Sequence, residues 1–191
     1  MTAQTTHQTP AQTPPRQMTP EATRVGLQLA QEAGDAYQRM VRYFIAHVAT
    51  SGAEQEAGNY RIGVAVEHAE PLYQLLGGQL VLTEPPEGDN AHLEVAVADA
   101  ADGRFVPSLT VAVTLLAEHG KQVGVFHLPF LWHPTMYHYG ANVHVPADRK
   151  YMLRVAIDAP TFPRHDKVNG KRYGEPVIAE FTGLKITTGR K

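Results

Sequence analysis

The sequence has no cysteine in 191 residues, which excludes disulfides, thiolate metal sites and cysteine nucleophiles. It also lacks an excess of either charge. Seventeen basic against 19 acidic residues leave no field for nucleic acid or an anionic membrane surface. No apolar run approaches the roughly 20 residues of a membrane span. The N-terminus shows no basic start followed by an apolar core, so no signal peptide is visible, and the chain reads as cytoplasmic if Met1 is the native start. Tryptophan occurs once, at Trp132. What is left for soft chemistry is histidine, of which there are ten.

Residues 1–18 are Thr, Gln and Pro with almost nothing to bury, and read as a disordered tail. Residues 19–52 read as an N-terminal α-helix. Thr19-Pro20-Glu21 supplies a capping hydroxyl, a first-turn proline and an acid near the positive helix end. Val25, Leu29, Ala33, Ala36, Met40, Phe44 and Val48 recur at threes and fours and predict one apolar face. Residues 58–188 then change to short β-type runs at 60–66, 79–83, 92–98, 109–116, 123–127, 141–145, 151–157 and 177–186, separated by turn residues. The segment Lys167-Val-Asn-Gly-Lys171 suggests a tight hairpin turn. The expected fold is mainly β: an immunoglobulin-like antiparallel β-sandwich of about seven to eight strands behind one helix.

Two places carry chemistry. Residues 128–143 hold Trp132, His133, Met136 and His138 on a stretch broken by prolines and glycine. The run 91–98 alternates, so Leu93, Val95 and Val97 take the core face while His92 and Glu94 point away from it together. Ala96 and Ala98 share that second face and suggest that a helix or a second subunit packs there. A His-x-Glu ridge alone is ordinary solvated surface, and so is the loop pair His165-Asp166.

Taken in order, the segments resemble the bacterial periplasmic iron-transport proteins, immunoglobulin-like homodimers that bind copper and iron beside ferrous-iron permeases. The resemblance rests on His92-Leu-Glu94, Val106-Pro-Ser-Leu-Thr110, His138-Tyr-Gly-Ala-Asn-Val143, Tyr151-Met-Leu-Arg-Val155 and Arg164-His165 with Gly170, Lys171, Glu175 and Pro176. It covers about residues 59–187. It implies a metal site of His92, Glu94, His138 and His165, a homodimer, a periplasmic or envelope location and an inner-membrane iron permease as partner. The methionine that the family places a few residues before His-Tyr-Gly is missing, since Pro129-Phe130-Leu131 stands there, and Met136 or His133 is the substitute on offer.

Three imidazoles suit copper, zinc or iron, and such sites peak in affinity at Cu(II). A Met136 thioether adds tolerance for Cu(I), whereas Glu94 favours a harder ion such as iron. Asp166 and Glu94 are candidates for orienting the imidazoles. Three functions follow: a copper/iron-binding protein of metal uptake with a His-rich surface site, a copper enzyme disproportionating superoxide, or an interaction module whose histidines are incidental.

Overall fold

The computed structural model describes residues 15–191, so most of the proposed tail lies outside the described residues. Its last residues are docked. Arg16 pairs with Asp99 and Asp102 at 2.8 Å each, and Gln17 exchanges two backbone hydrogen bonds with the Asn169 side chain.

The helix α1 runs Arg24–His47 and is capped by Thr23, whose hydroxyl accepts from Gly26 N at 3.2 Å. Thr19 instead closes a preceding turn by accepting from Ala22 N. Its buried face also differs from the expected stripe. Gly34, Gln38, Val41 and Phe44 are buried, while Val25, Leu29 and Val48 are exposed. The reason is local: a Cβ on Gly34 would sit 1.6 Å from Asp102 O, so only glycine lets the helix backbone approach there. Gln38 then donates to Gly103 O at 3.0 Å. A glycine and a glutamine at the contact are invisible to apolar periodicity.

Eleven antiparallel strands follow: β1 Ser51–Ala57, β2 Tyr60–Glu67, β3 Leu72–Leu76, β4 Gln79–Thr83, β5 Ala91–Asp99, β6 Val111–Leu116, β7 Gln122–Leu128, β8 Phe130–Trp132, β9 Tyr137–Val143, β10 Arg149–Ile157 and β11 Val177–Ile186. One sheet has the order β1-β2-β5-β9-β8 and the other β11-β10-β6-β7. The expected mainly β sandwich is what forms, with more strands than the sequence suggested. β1 takes residues assigned to the helix end, β3 completes a hairpin with β4 across Gly77-Gly78 (φ +56° and +84°), and β8 is new. Around Asn169–Lys171 there is a 3-10 turn held by the Asp166 carboxylate, not a hairpin. No helix among the described residues is long and apolar enough to cross a membrane.

Burial patterns show how the layers lie. β10 alternates buried and open positions toward its end, as in a sheet with one face to solvent. β5 is buried at all of its positions and β2 at nearly all. These two strands have the sandwich core on one face and α1 on the other. Val41 and Phe44 of the helix form a second apolar cluster with Ala65, Ala96 and Met136. Tyr139 ties β9 to the segment between β5 and β6: its hydroxyl donates to Val106 O at 2.8 Å and accepts from Leu109 N at 3.1 Å.

Candidate metal centre

Register builds the site. β5 and β9 pair with His92 opposite Asn142 and Glu94 opposite Gly140. Alternation therefore puts His138, Gly140 and Asn142 on the same face as His92 and Glu94, with Tyr139, Ala141 and Val143 toward the core. Gly140 is mid-strand in β9 rather than at a turn. Its lack of a side chain is used, since a Cβ there would lie 3.0 Å from His92 Nε2.

The expected side of the sheet is correct and the expected exposure is not. His92 is 0%, Glu94 3% and His138 3% exposed, because α1 covers this face; the site is not a surface site. One ligand atom from each of the three lies within 4.8 Å of the others. Glu94 Oε1 is 3.3 Å from His138 Nε2 and 3.8 Å from His92 Nε2. His92 Nε2, both His138 ring nitrogens and Glu94 Oε2 are buried with no hydrogen-bond partner. A buried polar atom left unsatisfied costs about 1–3 kcal/mol, so an orphan cluster in one place calls for a ligand. A metal ion meets that need with the nitrogen and oxygen donors present.

Asn142 sets the orientation of His92. Its Oδ1 accepts from Glu70 N at 3.1 Å while its Nδ2 donates to Glu70 O at 2.8 Å, which fixes the amide. His92 Nδ1 lies 3.0 Å from that Oδ1 and must be the donor, leaving the Nε2 lone pair turned to the site. This orienting partner was not singled out in the sequence, where Asp166 and Glu94 were the candidates. Asp166 is committed elsewhere, to Thr19 and Asn169. Replacing Asn142 with Leu is expected to weaken copper binding by about 10–100-fold with the fold retained. A Cu(II) titration with parallel circular dichroism checks it, and unchanged affinity would contradict the relay.

The charges in the pocket follow from burial. Desolvation, then the neighbouring Glu67 and Glu70, push the Glu94 carboxyl up to about 8. Desolvation, with His92 and His133 nearby, lowers His138 to about 3, and burial lowers His92 as well. Without metal the site at neutral pH thus holds a protonated carboxyl and two neutral imidazoles.

The remaining candidates separate. Met136 is buried and lines one small cavity together with Glu94, His138, Val41 and Phe44. His133 stands 6.1 Å from His138, ring centre to ring centre, and its Nδ1 accepts from Thr135 N at 3.3 Å, which places the ring proton on Nε2. Both substitutes are near His138, Met136 buried in that cavity and His133 half-buried beside the ring. Leu131, one of the three residues that stand where the family methionine is missing, pairs with His138 across β8 and β9 and, like His92 Nε2, would lie 3.0 Å from a Cβ on Gly140. His165 is outside the three-residue group and lines a different cavity of about 550 Å³ with Arg16, Glu21, Leu27 and Asp166. Trp132 is exposed and takes no part.

The sequence profile described as Fe2+ transport protein matches residues 80–182. A UPF0423 protein of Brucella abortus is 30% identical over 145 residues, covering 67% of this chain and 77% of that protein. Among solved structures, FetP of uropathogenic E. coli strain F11 superimposes with a TM-score of 0.58 at 20% identity, over 72% of this chain and 95% of its own. Copper-reconstituted P19 of Campylobacter jejuni gives a TM-score of 0.59 at 20% identity, over 75% and 98%. At such identity these two structures show a shared fold.

Proposed function

This chain belongs to the Fe2+ transport protein family, and from that premise we propose that it is a copper- and iron-binding protein of metal uptake. The observation that carries the reading is the group of unpartnered donor atoms of His92, Glu94 and His138 in a buried pocket. Met136 is the proposed additional donor. Copper is the first expectation, because imidazole donors favour Cu(II) and a thioether accommodates Cu(I). The copper-bound structures of P19 and of a FetP variant point the same way. Iron, as cargo, would be met by the Glu94 carboxylate; zinc would compete for the same imidazoles. The reading extends to a periplasmic homodimer that works beside an inner-membrane iron permease. Ala96 is covered by α1 of the same chain, so the dimer would use another surface. A superoxide-disproportionating copper would need access past α1, and no observation favours that reaction.

The test is titration of the purified chain with Cu(II), Fe(II) and Zn(II), followed by metal analysis and absorbance. A single tight Cu(II) site supports the reading; no binding beyond that of an unrelated control protein overturns it.

Proton linkage gives an independent check. Glu94 is protonated below about 8 in the metal-free protein, so a metal taken up at neutral pH must expel that proton. Copper affinity is expected to fall as pH drops below about 8, and proton release to vanish above it. Calorimetry at pH 7 in two buffers of different ionisation enthalpy should return close to one proton per copper. Zero release would mean that Glu94 does not ligate.

A further inference from the structure

The helix that covers the metal centre carries more apolar surface than the sheet takes up. Its sheet side holds Gly34, Gln38, Val41 and Phe44. A second row, Val25, Leu29, Ala36, Met40 and Tyr43, recurs at whole turns along the outside of α1. Val25, Leu29 and Tyr43 are 66%, 59% and 57% exposed, and Ala36 is exposed too. Met40 sits at the border, half-buried against the cluster of Val41 and Phe44. From Val25 to Tyr43 the row is about 27 Å long at the helical rise per residue. A continuous apolar row of that length facing water marks an interaction surface.

The polar residues beside the row decide what fits it. Arg24, Arg39 and Arg42 are mixed with Glu32 and Asp35, so this is not the basic flank of a helix that lies on an anionic membrane. Arg42 is held by Glu54 of its own chain at 3.8 Å, whereas Arg39 has no ion pair or hydrogen bond among the described residues. Glu32 lies two turns before Arg39 on the same flank. When two identical helices pack antiparallel, equal flanks meet. Glu32 of one copy then comes to Arg39 of the partner subunit, and symmetry makes the pair twice. The axis passes near Ala36, whose small side chain lets the two helices approach, and Leu29 meets Tyr43 of the partner subunit.

We propose that the outer row of α1 is a self-association surface: two copies of this chain pair α1 against α1, antiparallel, about a two-fold axis at Ala36. The proposal rests on the homodimer reading above and gives that dimer its surface. Each α1 is then held on two sides, by β2 and β5 of its own chain and by the partner helix, so the contact falls on the covers of both metal centres.

Sedimentation equilibrium of the full chain at micromolar concentrations should show a dimer. Leu29→Glu sets two unpaired carboxylates in the contact and is expected to weaken it at least about 100-fold. Glu32→Arg and Arg39→Glu should each weaken it about tenfold by placing like charges face to face, and the double variant should regain the dimer. All three side chains are exposed, so these variants should fold and keep their Cu(II) site. The chain has no cysteine, so Ala36→Cys supplies one thiol per copy. Mild oxidation should link two copies across the axis, and Tyr73→Cys, equally exposed on the β3–β4 hairpin, should link far more slowly. A chain that stays monomeric at high micromolar concentration overturns the proposal, including one that Leu29→Glu releases from lipid vesicles, which would give the row to a membrane. A dimer that survives Leu29→Glu, or that Ala36→Cys links no faster than Tyr73→Cys, also overturns it and moves the homodimer to another surface. A dimer that behaves as stated but binds no copper keeps the α1 surface and removes the metal reading.

Discussion

His138→Ala is expected to lower Cu(II) affinity by at least about 100-fold, more than loss of an orienting neighbour would, because a donor is removed outright. His138 has both ring nitrogens buried and unpartnered in the apo fold, so its loss breaks no hydrogen bond. The substitution removes an unsatisfied polar ring and leaves a small cavity next to Met136 and Phe44. Those two effects oppose each other, and the metal-free variant should unfold within a few degrees of the unaltered chain. Copper is the discriminating readout: the unaltered protein should gain a large upward Tm shift on copper addition, and the variant almost none. His165→Ala, in the other cavity, should keep the full shift. Equal copper-induced shifts in His138→Ala and the unaltered protein would move the site away from β9.

Gly34→Ala should destabilise the protein by about 2–3 kcal/mol even though alanine is the better helix former. Propensity alone favours the change by about 1 kcal/mol. Against it stands a Cβ placed 1.6 Å from Asp102 O and 2.8 Å from Arg104 N, backbone atoms that cannot swing aside. The helix has to lift, and Gln38 then loses its bond to Gly103 O. Gly26→Ala is the control. Its Cβ would meet only the Thr23 hydroxyl at 3.3 Å, so the propensity term should prevail. Thermal unfolding of the pair, with hydrogen exchange of α1 amides, separates the two effects. A Gly34→Ala protein as stable as the Gly26→Ala one would show that α1 is not tightly seated.

What the sequence made legible were features with short-range causes. Alternation along 92–98 placed His92 and Glu94 on one face opposite Leu93 and Val95, and the structure keeps that division. The mainly β architecture followed from run lengths and turn residues. Ala96 marked a face on which a helix or a second subunit packs, and Val41 and Phe44 of α1 do pack there. The seat of the helix was less legible, because it also docks on the Asp102–Arg104 segment through Gly34 and Gln38, residues that carry no apolar signal. The role of Asn142 was hidden for a different reason. Its amide is fixed by the backbone of Glu70, 72 positions away, and only the strand pairing brings the two together. Weighing Met136 against His133 needed the third dimension too, since the two are three residues apart, Met136 buried in the cluster with Val41 and Phe44 and His133 half-buried edge-on to the Phe44 ring.

The seating of α1 over β2 and β5 also bears on the tempo of exchange at the proposed metal site. Where the exit lies on that side, a metal bound beneath Val41 and Phe44 would leave in the intervals when the helix is raised, and its residence time would be set by the opening rate of a tertiary contact and not by bond strength to the donors alone. Affinity and lifetime become separate quantities. A chelator in solution, however concentrated, could then strip the metal no faster than the helix opens. A protein partner that grips α1 would release the same ion quickly without altering a single ligand.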